Sequence, residues 1–221
     1  EEEIPEGIIV NGSVEKGEAF AAILKRVSAK AGRAFRASGM VVSLPEEKSF
    51  LRIFQTPKVG MREMAGAIRW KIEEEIPLPS EDVIYDYEPI RPIEGEIDHH
   101  DAVVTAFPKS IVAAYVRAIK DAGLIPIALE LESQAIMRAA VPSFGAGDAG
   151  IVIDMGRSRT SVILFAGGSI VFTTTIPVGG YTIDTEIARA LGIPASEAAE
   201  LKKKNGFAKD AYDGKVFSAI A

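Results

Sequence analysis

Apolar positions recur at three- and four-residue spacing over residues 16–31, where Ala19, Phe20, Ile23, Leu24 and Val27 share a face opposite Lys and Arg. That period predicts an amphipathic helix. "GMVVSLP" then reads as a short buried strand closed by Pro45, and "SFLRIFQTP" alternates Phe50, Arg52 and Phe54 around Leu51 and Ile53 before stopping at Pro57. "GMREMAGAIRWKIEEEIP" returns to helical spacing through Met61, Met64, Ile68 and Ile72, and ends before Pro77. "DVIYDYEPI" is β-rich, with Val83, Tyr85 and Tyr87 on one face, and the polar excursion "RPIEGEIDHH" separates it from the strand "DAVVTAF". Pro108 is placed to open a helix whose apolar face is Ile111, Val112, Tyr115, Val116 and Ile119, with Gly123 as the residue just past its end. "LIPIALELES" alternates Ile125, Ile127, Leu129 and Leu131 as a last strand. The order over residues 49–131 is therefore β-α-β-β-α-β, a split βαβ pattern, and it predicts one inserted α+β subdomain.

The style changes after "FGAGDAG", where glycines at 145, 147 and 150 read as a linker behind the short helix "LESQAIMRAAVPS". Strands at 150–154, 161–166 and 169–176, the last two joined at Gly167-Gly168, predict an antiparallel meander. Pro177 and Gly179-Gly180 lead into the helix "YTIDTEIARALG", with Ile183, Ile187 and Leu191 on its core face.

Chemistry concentrates where the first of these strands ends, at Asp154-Met155-Gly156 and the basic, hydroxyl-rich residues behind it. A glycine there lets the backbone turn and approach a ligand closely, and successive N–H groups in such a turn form a nest for phosphate oxygens. Ser158 and Thr160 can add hydroxyl hydrogen bonds. An acid beside phosphate requires a cation between them, so Asp154 suits a magnesium site reached through water. A plain β-hairpin with an Asp-x-Gly turn accounts for the same residues.

Composition narrows the classes. The chain has 221 residues, 48 % hydrophobic and 25 % charged, as in folded globular proteins. A formal net charge of −6 gives the whole molecule no attraction for a nucleic-acid backbone or an anionic membrane. Without cysteine there are no disulfides and no thiolate nucleophiles or metal ligands. No apolar run approaches the ~20 residues of a membrane helix, and the acidic "EEEIPEGIIV" is unlike a signal peptide. A cytoplasmic protein is expected.

The segment "IVIDMGRSRTSVILFAGGSIVFTTTIPVGGYTIDTEIARALGIPASEAAELKKKNG" resembles the second phosphate motif of actin-like ATPases together with the helices behind it, and the nearest likeness is to the PilM family of type IV pilus assembly and its relative FtsA. "EEEIPLPSEDVIYDYEPI" and "DAVVTAFPKSIVAAYVRAIKDAGLIPIALELESQAIMRAA" resemble that family's inserted 1C subdomain and the return to subdomain 1A. The resemblance implies an α/β actin-like fold of ribonuclease-H-like subdomains carrying an inserted α+β 1C-type subdomain. It divides the chain into 1–48 and 132–148 for 1A, 49–131 for 1C, 149–192 for 2A and 193–221 for the start of 2B.

It also implies residue roles. Asp154, Gly156 and Thr160 match Asp-x-Gly-x-x-x-Thr and would face the β- and γ-phosphates of ATP and its Mg2+, with Asp154 toward the metal and Ser158 beside them. Gly179 and Gly180 match the glycine pair before the nucleotide-facing helix, although a tight strand-to-helix turn explains them equally. Ala199, Glu200 and Lys203 match Ala-Glu-x-x-Lys at ribose and adenine; one register back selects Lys202. In the family a short N-terminal cytoplasmic peptide of the inner-membrane protein PilN docks between 1A and 1C, for which Phe35, Arg36 and the strand residue Arg52 are the candidates here. The implied protein is a cytoplasmic adaptor recruited to the inner face of the membrane for pilus, type II secretion or competence assembly, at most a slow ATPase. An FtsA-like division protein, or a phosphotransferase of the sugar- and acetate-kinase branch, are the alternatives; the insert offers no evident general base for the latter. The family's first phosphate motif, Asp-x-Gly with Ser/Thr and Lys, is not seen before Pro5, and its adenosine motif lies beyond the matched region, so residues 1–221 alone are expected to bind ATP weakly or not at all.

Other residues carry less. His99-His100 between Asp98 and Asp101 invite a metal, but adjacent extended residues point to opposite sides, and a solvated loop is expected. Glu73-Glu74-Glu75 and Lys202-Lys203-Lys204 read as surface charge. Trp70, off the apolar stripe of its helix, is either core or an aromatic anchor for a partner. No Gly-x-Ser-x-Gly elbow is present.

Overall fold

The computed structural model describes residues 2–32, 39–90, 98–141, 145, 147–206 and 208–220. Phe35 and Arg36, two of the residues expected at a partner surface, lie outside these. Residues Glu1–Val152 with Ile163–Thr173 form one compact unit, and Ile153–Val162 with Thr174–Ala221 a second.

In the first unit, the pairing of β3 (Met40–Leu44) with β7 (Pro126–Leu131) is parallel. A parallel pair requires a long crossover, and here everything between the two strands serves as one. Helices α1 (Gly17–Ala31) and α3 (Lys109–Asp121) pack on each other beside this pair. They contribute Phe20, Ile23, Val112, Tyr115 and Ile119 to a core completed by Leu44, Phe107 and Leu131. Phe20 meets Tyr115 edge to face at 5.9 Å, a favoured aromatic geometry. The Tyr115 hydroxyl donates to Gly12 O at 3.1 Å, tying α3 to the turn between β1 (Ile9–Val10) and β2 (Ser13–Val14). Gly123 ends α3 in the left-handed region at φ +76°, as expected of the residue past a helix end.

The sheet β4-β6-β5, from β4 (Phe50–Pro57), β5 (Val83–Pro89) and β6 (His99–Pro108), is antiparallel throughout. Helix α2 (Met61–Glu75) covers one face. Met64, Ile68 and Ile72 pack on Phe54, Val83, Ala102, Val104 and Ala106, a second core separate from the first. The elements of the expected 49–131 module are present in that order and divide between the two cores. Its second helix and last strand, α3 and β7, belong with α1 and β3, because parallel pairing to β3 uses the edge of β7 and the stripe of α3 faces α1.

Two further readings change, and one left open is decided. β3 is not buried along its length: Val41 is 50 % exposed, and in β7 so is Ile127 at 65 %. Trp70 stands 72 % exposed, outside the core. His99 and His100 are strand residues opposite Pro57 and Thr56, not loop residues. His99 lies 2.8 Å from Asp98, and among the described residues no three His, Asp or Glu groups converge on a metal position.

Helix α4 (Glu132–Ala140) starts where β7 ends, held by a buried carboxylate. Glu46 accepts from Ser133 N at 3.3 Å and Ser133 Oγ at 3.2 Å, at the positive end of the helix. Met137 of α4 packs on Ile163, Phe165 and Ile170. The last two strands of the expected meander are β9 (Thr160–Ala166) and β10 (Ser169–Ile176), and with β8 (Ala149–Met155) they form a sheet in the order β10-β9-β8. The second unit adds α5 (Gly180–Leu191), α6 (Ala195–Asn205) and α7 (Lys215–Ile220) around Ile187, Ala198 and Val216. No helix among the described residues is long and apolar enough to cross a membrane.

Candidate functional site

In the second unit, the turn after Asp154 is a docked structure rather than an open loop. Gly156 N donates to Arg159 O at 2.9 Å and closes it. The leading N–H groups of α5 then hold it: Gly180 N donates to Gly156 O at 2.9 Å and Tyr181 N to Arg157 O at 2.7 Å. Gly179 is needed for that approach, because a Cβ there would lie 2.6 Å from Arg159 N and 2.8 Å from Arg157 O, both backbone atoms. The Thr160 hydroxyl, 8 % exposed as part of a buried residue, donates to Val178 O at 2.7 Å and pins β9 to the residues before α5.

The residues expected to contact phosphate thus divide. Asp154 is half-buried at the end of β8, and Ser158 is exposed on the turn with Arg157. Gly156, Gly179, Gly180 and Thr160 lie together with them, but their donors and their closeness serve the joint between turn and helix. The N-terminus of α5 is filled by the turn's own carbonyl groups, so it does not offer the open anion site of a free helix end.

Of the two lysine registers, Lys202 reaches this joint. Its Nζ donates to Gly180 O at 2.6 Å and stands 2.6 Å from Asp184 Oδ1, with both side chains mostly buried. Lys203, the register preferred from sequence, pairs instead with Glu200 at 2.8 Å on the exposed face of α6. A three-residue offset on one helix face forms that pair readily. Asp184 was not singled out from sequence, although its position four residues into the helix behind the glycine pair is a usable signal.

The first unit contains a groove on the face of β4-β6-β5 opposite α2. It comprises two adjoining cavities of about 360 Å³ and 480 Å³ that share Glu88, Val103, Thr105, Glu130 and Gln134. Ile84, Asp86 and Glu88 line it from β5, and Leu129, Glu130 and Leu131 from β7. Glu130 receives both terminal nitrogens of Arg138, at 2.5 and 2.7 Å. That guanidinium holds the Glu130 carboxyl below its ordinary value, first by hydrogen bonding and then by its charge, against an upward push from burial.

Arg52 is not in this groove. It lies opposite Val104, whose side chain is in the α2-covered core, whereas its neighbour Leu51 lies opposite the groove residue Thr105. Opposed residues share a face of the sheet, so Arg52 is on the helix-covered side; its Nη1 donates to Leu51 O at 2.9 Å. The groove itself has a sequence signal in "DAVVTAF", whose lack of alternation means a strand covered on both faces.

Comparison with known proteins gives the frame. A family model described as the type IV pilus assembly protein PilM matches residues 1–219. A solved PilM-PilN type IV pilus biogenesis complex superposes with a TM-score of 0.74 at 26 % identity, covering 98 % of this chain and 62 % of that one. The cell division protein FtsA of Escherichia coli (strain K12) is 33 % identical over 64 residues, 29 % of this chain and 15 % of the relative. FtsA of Agrobacterium fabrum (strain C58 / ATCC 33970) is 38 % identical over 56 residues, 25 % of this chain and 13 % of the relative. MreB5 of Spiroplasma citri bound to ADP shares the fold, with a TM-score of 0.50 at 15 % identity over 88 % of this chain and 43 % of that one. The chain therefore spans 15 % of the length of the first FtsA relative and 62 % of the PilM chain. With an actin-like ATPase fold and a family match reaching from residue 1 to residue 219, the chain belongs to the type IV pilus assembly protein PilM family.

Proposed function

We propose that this protein is a cytoplasmic adaptor of type IV pilus assembly, recruited to the inner face of the membrane by binding the N-terminal cytoplasmic peptide of a PilN-like protein in the groove of the first unit. The observation that carries the reading is that groove: two adjoining cavities walled by β5, β6 and β7, in a chain similar along 98 % of its length to the PilM of a PilM-PilN complex. In the family's terms, β4–β6 with α2 read as 1C, and α1, β3, α3, β7 and α4 as 1A. The groove is open, part apolar and part acidic, and has the form of a peptide seat more than of a small-molecule catalytic pocket.

A nucleotide role belongs to the second unit. Asp154 and the exposed Ser158 and Arg157 fit one edge of a magnesium–phosphate site, with Asp154 acting through water. Glu200 and Lys203, paired on the exposed face of α6, are the candidates toward ribose. Bound ATP would supply phosphate charge to the Asp154–Ser158 turn, and differential affinity for one arrangement of that turn would raise its population. Asp154 holds the acid side, Gly179 permits the turn to seat, and Lys202 with Asp184 keeps α6 against α5.

The test is a titration of fluorescein-labelled PilN-like N-terminal peptide against the full chain and Leu129→Arg, followed by anisotropy. Leu129 is 39 % exposed on the groove wall, so the substitution obstructs the seat without opening the core. Affinity should fall about tenfold or more; equal affinities overturn the peptide seat.

A further inference from the structure

The register of the groove floor writes a polarity sequence onto it. Ile84 lies opposite Phe107, Asp86 opposite Thr105, and Glu88 opposite Val103. From the other side Leu51 is opposite Thr105 and Ile53 opposite Val103. Opposed residues share a face, so one end of the floor is apolar and the next two rows each carry a carboxylate. The walls match the floor: Leu44, Val112, Leu129 and Leu131 line the first cavity alone, as Ile84 and Phe107 do, whereas Glu130 lines both cavities with Glu88 and Val103. The apolar row and the Glu88 row are four strand residues apart, about 13 Å.

The three carboxylates lining the first cavity are not equivalent, and no lysine, arginine or histidine lines it. Glu130 is already neutralised by Arg138. Asp86 accepts only its neighbour's N–H, from Tyr87 at 2.9 Å, and neither Asp86 nor Glu88 has an ion-pair partner among the described residues. In the open groove water solvates both. A neutral peptide lying over them removes that water and returns nothing, a cost that grows as the cover becomes drier. A cationic side chain restores the lost interaction, and an acidic one is repelled.

We infer that the groove selects an extended peptide that puts an apolar side chain into the Ile84–Phe107 end and a lysine or arginine against Asp86 and Glu88, about four residues along. This deepens the adaptor reading and rests on it. The apolar end supplies adhesion; the carboxylate pair decides which peptides are accepted and in which direction they lie.

The experiment uses the full chain, the labelled PilN-like N-terminal peptide, and the same peptide with its lysines and arginines replaced by glutamine. The protein variant is Asp86→Asn/Glu88→Gln, which keeps side-chain shape at two exposed positions; its circular dichroism and melting temperature are expected to match the parent. Affinity for the parent peptide should fall about 5- to 50-fold in the variant and fall again with added salt in the wild type. The glutamine peptide should bind both proteins alike and weakly. Equal binding of the parent peptide to wild type and variant overturns the charge selection while leaving the peptide seat intact. Absence of any binding by the wild type overturns the seat and the selection together.

Discussion

Gly179 shows how much one residue decides at the joint of the second unit. Its backbone angles, φ −151° and ψ −168°, are extended and open to any residue, so the constraint is space. Gly179→Ala puts a methyl group into the backbone of residues 157–159, and is expected to cost about 1–3 kcal/mol through displacement of the turn; urea unfolding of the wild type and the variant measures it. Thr160 makes the complementary link, from strand to the residues before the helix. A second expectation at this scale concerns pH. Arg138 depresses the Glu130 carboxyl below its ordinary value of 4.5 in the folded protein. The contribution of that pair to stability is therefore complete above about pH 4.5 and fades as the pH falls through the lower folded value. Arg138→Gln should lower the melting temperature at pH 7, and the gap from wild type should close on acidification below about pH 4; a gap independent of pH contradicts the assignment.

At the scale of elements, alternation and register sort side chains onto faces, and the two faces of β4-β6-β5 do different work. The α2 face is a sealed core: Ile68 is 0 % exposed and meets residues from β4, β5 and β6. Ile68→Ala is expected to destabilise by about 2–5 kcal/mol, the range for a buried large-to-small change, as read by denaturant unfolding. The opposite face is the groove. Arg52→Glu, on the sealed side, should leave the affinity for the PilN-like peptide unchanged while Leu129→Arg removes it; a loss with Arg52→Glu would put the peptide on the other face. The helices were legible from their 3.6-residue stripes, and the strands from β-branched runs and proline stops. What escaped was which stripe covers which sheet. Met64, Ile68 and Ile72 look no different in sequence from Val112, Tyr115 and Ile119, yet the first set seals β4-β6-β5 and the second packs on α1.

For the whole molecule, the expected behaviour is that of a nucleotide-biased adaptor, and ligand binding to the native state alone raises stability as occupancy grows. Millimolar ATP with magnesium should raise the unfolding temperature of residues 1–221 by no more than a small amount, and any rise should vanish in Asp154→Asn; an equal rise in both removes Asp154 from the site. The sequence by itself determined where helices and strands lie, that an acid, a glycine and hydroxyl groups meet at one strand end, and that the chain resembles the PilM family, because all of these depend on residues close together along the chain. Tertiary structure alone decided the rest. A parallel strand pairs only across a long crossover, so β3 claimed β7, and with it α3, from the module that local order suggested. Lys202 was separated from Lys203 by a single helical step of direction, which turns one ammonium to Asp184 and the other to solvent. The groove took its acidic and apolar ends from the register of three strands distant in sequence, and register is a property of their pairing that none of the strands carries alone.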